Sequence, residues 1–350
     1  MIGEALLPLA LVFATSLALG LALTPLAARA GARFGVMDRP RPGEVQSAAL
    51  PRSGGYALTV AYLAGIGVSF LLVERFPDEQ RRVIGLLLGS VAVLPIAFLD
   101  DVKRLSAPPQ LVAQLGLALI AAIFGSTIAT VSNPLGPAPF GSQILLPTLL
   151  VLPVTIFWLV AIINTVNWLD TMDGLAAGIG AIAAAVFVAV SVSLGQISIA
   201  VLPAALLGAC LGFIPYNFNP ARIILGTSGS MMIGYGLGVI AIIGGAKIAA
   251  TILVLGIPII DAGLVIWQRG RAGRSPLRGG DSAHLPHRLH HRGLSQRRIA
   301  LLLYGLCALF GSLSLWLVRV EKLFAFVGLI LTLAVLVLFV RLRTPRGADA

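Results

Sequence analysis

Apolar residues along this chain come in long blocks, separated by short polar stretches that hold most of the charge. Eleven blocks are long enough for a tilted membrane helix: residues 4–28, 55–73, 83–99, 109–125, 148–163, 174–194, 197–214, 230–244, 248–268, 298–318 and 323–341. Runs of this kind are unlike the weak alternating segments of a membrane β-barrel. The pattern predicts an all-α fold, a polytopic transmembrane helix bundle of about 11 spans, or 10 if short blocks merge or re-enter. One integral membrane domain over residues 1–350 is expected. The first block can span and has no basic stretch before it, so it reads as a retained helix, not a cleaved signal. Segment 126–147, rich in Pro, Gly and Ser, reads as an outer loop with a short hairpin.

Composition sharpens this. The chain is 58% hydrophobic and 11% charged, with mean hydropathy +0.97, whereas soluble domains carry about a quarter charged residues. A net charge of +11 could suit nucleic acid, but in a polytopic membrane protein it reads as loop bias, and no nucleic-acid partner is expected. With the amino terminus outside, the inside segments are 29–54, 100–108, 164–173, 215–229, 269–297 and the tail from 342. Counting Arg298 and Arg341 with them, they hold 19 of the 25 Lys and Arg. Arg75, Arg81, Arg82, Lys247, Arg319 and Lys322 fall outside. The asymmetry predicts that the inside loops are cytoplasmic. Cys210 and Cys307 lie in apolar runs and read as small core residues.

The chemistry begins with four aspartates at the ends of apolar blocks. Carboxylates at membrane depth are costly unless they meet water, a cation or a partner, which marks a functional site. In FLDDVKRL (98–105), Asp100 and Asp101 stand at the negative end of the third span, where anions are disfavoured. Two readings stay open: surface pairing with Lys103 and Arg104, or a divalent cation or protonated Asp. In NTVNWLDTMDGLAAG (164–178), Asn164, Asn167, Asp170 and Asp173 recur every three residues. On an α-helix that spacing fans them across half the surface, whereas a 3₁₀ turn would stack them. Gly174 and Gly178 permit a close approach or an irregular turn. Helix capping could explain one of the four polar residues, not all.

Two further stretches carry candidates. PYNFNPARIILGTSGSMMIG (215–234) holds Arg222 and the turn Gly226, Thr227, Ser228, Gly229, which is either an anion site at a helix start or a plain capped loop. The loop RGRAGRSPLRGGDSAHLPHRLHHRGLSQRR (269–298) holds all four histidines, His284, His287, His290 and His291, beside Arg288 and other arginines. Without cysteines, and with Pro286 breaking the face, phosphate or diphosphate binding fits better than zinc. Attraction to anionic lipid explains the arginines but not the clustered histidines. Asp261, inside the ninth block, suggests a polar interior contact. The first inside loop adds Asp38, Arg39, Arg41 and Arg52, weak signals alone.

Taken together and in this order, these motifs resemble the polyprenyl-phosphate N-acetylhexosamine-1-phosphate transferases, a group that includes the phospho-N-acetylmuramoyl-pentapeptide transferases. The resemblance spans about 35–304 and is most specific at NTVNWLDTMDGLAAG. Eleven spans are closer to its branch with N-acetylglucosamine-like donors than to the ten-span muramoyl branch. The resemblance implies that a polyprenyl phosphate attacks the β-phosphorus of a UDP-amino sugar, releasing UMP. It implies a multi-pass protein of the bacterial plasma membrane with cytoplasmic catalytic loops, and a homodimer. Magnesium, with manganese as an alternative, would be held by Asp101, Asp170 and Asp173. Asp100 would handle the acceptor phosphate beside Asp101. Asn167 and Asp170 would lie on the nucleotide side, with Asp173 nearby, and His284, His287 and Arg288 on the diphosphate, with Asn164, Arg222, Thr227 and Ser228 as further substrate contacts.

The chain departs from the resemblance at three places. Thr227 stands where an Asp is usual, Pro286 where a His is usual, and VQSAA (45–49) where Lys and His are usual. A hydroxyl binds magnesium far less strongly than a carboxylate. Either another Asp takes the metal, or the chain is a non-catalytic or altered member. A transporter is the third reading, opposed by charges gathered at one face instead of the midplane.

Overall fold

The structure, a computed structural model, describes residues 2–39, 49–103, 105–133, 143–245, 247–273, 284–317 and 320–342. Its elements are α1 (Ile2–Arg33), β1 (Met37–Asp38), β2 (Leu50–Pro51), α2 (Gly54–Leu72), α3 (Pro77–Lys103), α4 (Ala107–Ile123), β3 (Thr130–Ser132), β4 (Gln143–Leu145), α5 (Thr148–Leu169), α6 (Leu175–Ser193), α7 (Ile197–Asn217), α8 (Gly226–Ile243), α9 (Lys247–Val254), α10 (Gly256–Arg271), α11 (Leu285–His290), α12 (Gln296–Trp316) and α13 (Val320–Leu342). Two small antiparallel pairs, β1–β2 and β3–β4, are the only sheets among the described residues, and β3–β4 is the antiparallel pair expected within segment 126–147. Among those residues nine helices are long and apolar enough to cross a membrane, or ten if the bent pair α9–α10 counts as one. The chain is a multi-pass membrane protein.

Each of the eleven expected spans falls on a helix, with two departures from the simple picture. The fourth falls on α4, a shorter apolar helix of 17 residues. The ninth is not straight: α9 and α10 meet at 68° around Leu255. Pro258 has no N–H to continue the helical ladder across this point. A Cβ on Gly256 would lie 2.3 Å from the Leu329 side chain, so glycine is what lets α13 approach the bend.

α8 sits at the centre, with every residue from Gly226 to Ile243 buried. Its glycines allow close neighbours. A Cβ on Gly234 would lie 2.7 Å from the Ile163 backbone on α5, and Gly238 faces Leu159. The same small-residue packing joins α1 to α7, where a Cβ on Gly212 would meet Leu17 O at 2.7 Å. Lipid tails are as apolar as leucine, so close backbone approach, not hydrophobicity, drives such contacts. Cys210 and Cys307 are buried free thiols, as expected.

Candidate active site

The polar segments expected on one side of the membrane meet at one end of the bundle. Their convergence starts with α2. Its first N–H groups need acceptors, and no side chain caps it. Gly54 N and Gly55 N donate instead to Ile224 O (3.1 Å) and Leu225 O (2.8 Å), and Ile224 N donates to Pro51 O (2.9 Å). A Cβ on Gly55 would sit 2.0 Å from Gly229 N and 2.4 Å from the Ser228 hydroxyl. The glycine pair therefore seats the first inside loop against the start of α8, and Ser228 is buried there.

This seating places Arg52 over the aspartate pair. Its Nε donates to Asp101 Oδ1 at 2.9 Å and its Nη2 to Thr227 Oγ1 at 3.2 Å, while Nη1 lies 3.8 Å from Asp38 Oδ2. The Asp101 side chain is 0% exposed. Thr227 N points at Asp101 Oδ1 (3.4 Å), and Tyr56 donates its hydroxyl to Asp101 Oδ2 (3.2 Å). The anion received at the start of α8 is thus a carboxylate of the chain itself. Asp100 accepts from Leu105 N (3.0 Å), Gln110 Nε2 (2.8 Å) and the Thr227 hydroxyl. These donors answer the unfavourable end of α3. Among the described residues Lys103 forms no ion pair with either aspartate, and Arg104 lies outside them. Burial works against the Arg52 charge, but Asp101, Asp38 and Asp170 outweigh it and raise its pKa above the ordinary arginine value.

The Asn/Asp motif divides between helix and turn. α5 continues through Leu169, beyond the expected border at 163, so Asn164 and Asn167 are helical and fan apart. Asn164 exchanges hydrogen bonds with Gln114 of α4 (2.6 and 3.2 Å), and Asn167 accepts from Ser230 of α8 (2.8 Å). Residues 170–174 form the irregular turn. Gly174 has φ of 76° and donates to Asn217 Oδ1, and Gly178 packs against Tyr304. Neither aspartate caps α6; Gly174 holds that position. Asp173 Oδ2 accepts from Asn219 Nδ2 (2.9 Å) and Ala221 N (3.0 Å), so this carboxylate holds the loop after α7.

Asp170 differs from the other three. Among the described residues it accepts no side-chain or backbone hydrogen bond. Burial pushes its carboxyl up to about 7; Arg52 opposes this, while Asp101, Asp173 and Asp38 add to it. It is a half-buried carboxylate that feels the charge of three others, with Arg52 the one cation acting on it among the described residues. No group of three or more His, Cys, Asp or Glu among the described residues is close enough to chelate a metal alone. Magnesium, however, is usually held by one or two carboxylates plus substrate phosphates and water. An unpartnered Asp170 beside Asp101 fits that requirement.

The histidine loop adjoins this centre through Trp168, whose ring lies 5.9 Å from that of His284. His284 Nδ1 is 2.9 Å from Asp261 Oδ2, and Leu285 N donates to Asp261 Oδ1 (3.0 Å). Asp261 thus makes the expected interior contact, and it anchors the loop. Arg288 bonds Gln268 (2.8 Å) and His290 approaches Leu294 O (3.0 Å). Burial, with His284, His291 and His290, holds the His287 pKa below the ordinary value against the pull of Asp261. Arg222 is exposed. Arg41, residues 45–48 and residues 274–283 lie outside the described residues. Asp261→Ala should cost about 2–3 kcal/mol, because Leu285 N is left buried without an acceptor. A melting curve tests this; unchanged stability would remove Asp261 as the loop's anchor.

Comparisons with known proteins show which family the chain belongs to. Residues 83–245 match the model of glycosyl transferase family 4. The chain is 30% identical to the probable undecaprenyl-phosphate N-acetylglucosaminyl 1-phosphate transferase of Bacillus subtilis, over 91% of this chain and 89% of that protein. The chain belongs to glycosyl transferase family 4. Other members of the family are similar at comparable levels. The decaprenyl-phosphate N-acetylglucosaminephosphotransferase of Mycolicibacterium smegmatis is 31% identical over 91% of this chain and 85% of its own length. A phospho-N-acetylmuramoyl-pentapeptide-transferase of Staphylococcus aureus is 26% identical over 76% of this chain and 84% of its own length. The part of the chain that matches the family model contains the aspartate pair, the Asn/Asp motif and Thr227. It excludes Arg52 and the histidine loop. Sequence reading undervalued Arg52; the signal for it was the glycine pair two residues on.

Proposed function

We propose that this chain transfers a sugar-1-phosphate, N-acetylglucosamine-1-phosphate or a close relative, from a UDP-sugar to polyprenyl phosphate at the cytoplasmic face of a bacterial plasma membrane. The carrying observation is the convergence of Asp100, Asp101, Asp170 and Asp173 at the end of the bundle that gathers the basic loops, in a member of this family. The acceptor phosphate oxygen forms a bond to the donor's β-phosphorus while the bond to the α-phosphate oxygen breaks, and UMP leaves. Magnesium, when bound, supplies charge neutralisation for the diphosphate. Asp170 and Asp101 would hold it. Asp100 faces the acceptor side, and the fixed His284 with His287 and Arg288 faces the diphosphate. Asp170 stands in the turn just after α5, where its carboxylate accepts no hydrogen bond among the described residues, and the Trp168 ring lies against His284 of the histidine loop.

Purified protein given UDP-N-acetylglucosamine, undecaprenyl phosphate and magnesium should release UMP in equal amount to lipid-linked sugar phosphate. A second reading, a non-catalytic or altered member, draws on one observation: Arg52 and Thr227 already occupy oxygens of Asp101 and Asp100. Donor binding without UMP, across several UDP-amino sugars, would select that reading over the first.

A further inference from the structure

Arg52 contacts two carboxylates and one hydroxyl and lies within electrostatic reach of a third carboxylate, the four coming from four parts of the chain. Asp38 comes from the first loop, Asp101 from α3, Thr227 from α8, and Asp170 from the turn after α5. Nε, Nη1 and Nη2 each face a different acceptor, which a guanidinium can do and an ammonium cannot. We infer that Arg52 is a positioning residue that acts as a resident cation of the carboxylate cluster, competing with the divalent ion for Asp101 and fixing that carboxylate for the reaction. The inference rests on the transferase reading for its catalytic half and on geometry alone for its metal half.

The two halves have opposite signs. Removing the guanidinium leaves Asp101 Oδ1 with only the long contact from Thr227 N and deletes a positive charge that contacts Asp38 and Asp101. A divalent cation should then bind more tightly, by about tenfold or more, because its competitor is gone. Turnover should fall all the same, because Asp101 and Thr227 lose the group that sets their mutual geometry. A residue that merely braced the fold would, when removed, weaken metal binding and turnover together.

The test measures Mn2+ binding by electron paramagnetic resonance on purified wild type, Arg52→Gln and Arg52→Lys at pH 8, alongside UMP release and melting temperature. Arg52→Gln should bind Mn2+ at least about tenfold more tightly than wild type, with turnover reduced a hundredfold or more on the scale of a lost positioning contact. Arg52→Lys should keep the fold and fall between the two in both readouts. It therefore decides the question if Arg52→Gln fails to fold. Mn2+ affinity that is unchanged or weaker in the folded variants, or undetectable binding throughout, overturns the inference. Wild type that binds Mn2+ but releases no UMP defeats the transferase reading instead, and the Mn2+ comparison still decides the role of Arg52.

Discussion

Asp170→Asn should reduce turnover by about a thousandfold, as expected for weakening the hold on the ion that neutralises the reacting phosphates, while leaving the protein folded. The second half is the unusual one. Losing a buried, hydrogen-bonded carboxylate normally destabilises a protein, because its donors are stranded. Asp170 has no such donors among the described residues, and its charge is opposed by burial and by Asp101, Asp173 and Asp38. Neutralising it relieves that opposition, so the melting temperature without metal should stay the same or rise. The pH dependence follows from the same residue. An unfolded Asp ionises near pH 4, roughly, and the folded one near 7. Between these values the folded state holds the extra proton, so stability without metal falls as pH rises and levels off above 7. Divalent binding requires the ionised form, so the half-saturating magnesium concentration should fall as pH rises through 7. In Asp170→Asn both slopes should vanish. A variant that keeps near-normal turnover, or the wild-type slopes, would show that the free carboxylate is not the site's metal-side group.

The helices were legible because lipid leaves an α-helix few alternatives, and apolar blocks this long have no other use. The polar motifs were legible as members of one site because the charge count put them on one side. Contacts across the chain were not legible. Nothing local in NTVNWLDTMDGLAAG says that Asn164 pairs with Gln114, or that Asp173 holds the loop at Asn219 and Ala221 while Asp170 accepts no hydrogen bond among the described residues. The three-residue spacing left helix and 3₁₀ turn open, and the outcome divides at Leu169. The bend at Leu255 needed Leu329 of a distant helix to give Gly256 its reason. Arg52 was one of several basic residues in a basic loop. Its role emerges only when Gly54 and Gly55 dock that loop onto the 224–225 carbonyls.

Thr227→Asp should make the fold depend on divalent metal. The Thr227 hydroxyl now donates to Asp100 Oδ2 and accepts from Arg52, so it neutralises one carboxylate without adding charge. An aspartate there would strand Asp100 without that donor and put a third carboxylate within contact of the pair. Like charges so close cannot all ionise, and Arg52 alone cannot offset three. Without metal the variant should melt below wild type. Magnesium should then restore it, since a ligand at a hundred times its Kd stabilises by about 2.7 kcal/mol. A carboxylate also binds magnesium far better than a hydroxyl, so the half-saturating magnesium concentration should drop below that of wild type by about tenfold, or 1.4 kcal/mol. Thr227→Val separates the two roles of the hydroxyl. It removes the donor to Asp100 without adding charge, so it should lose stability that magnesium does not restore. If Thr227→Asp melts like wild type and answers magnesium like wild type, residue 227 does not border the metal position, and the weakened-site reading of this chain loses its physical basis.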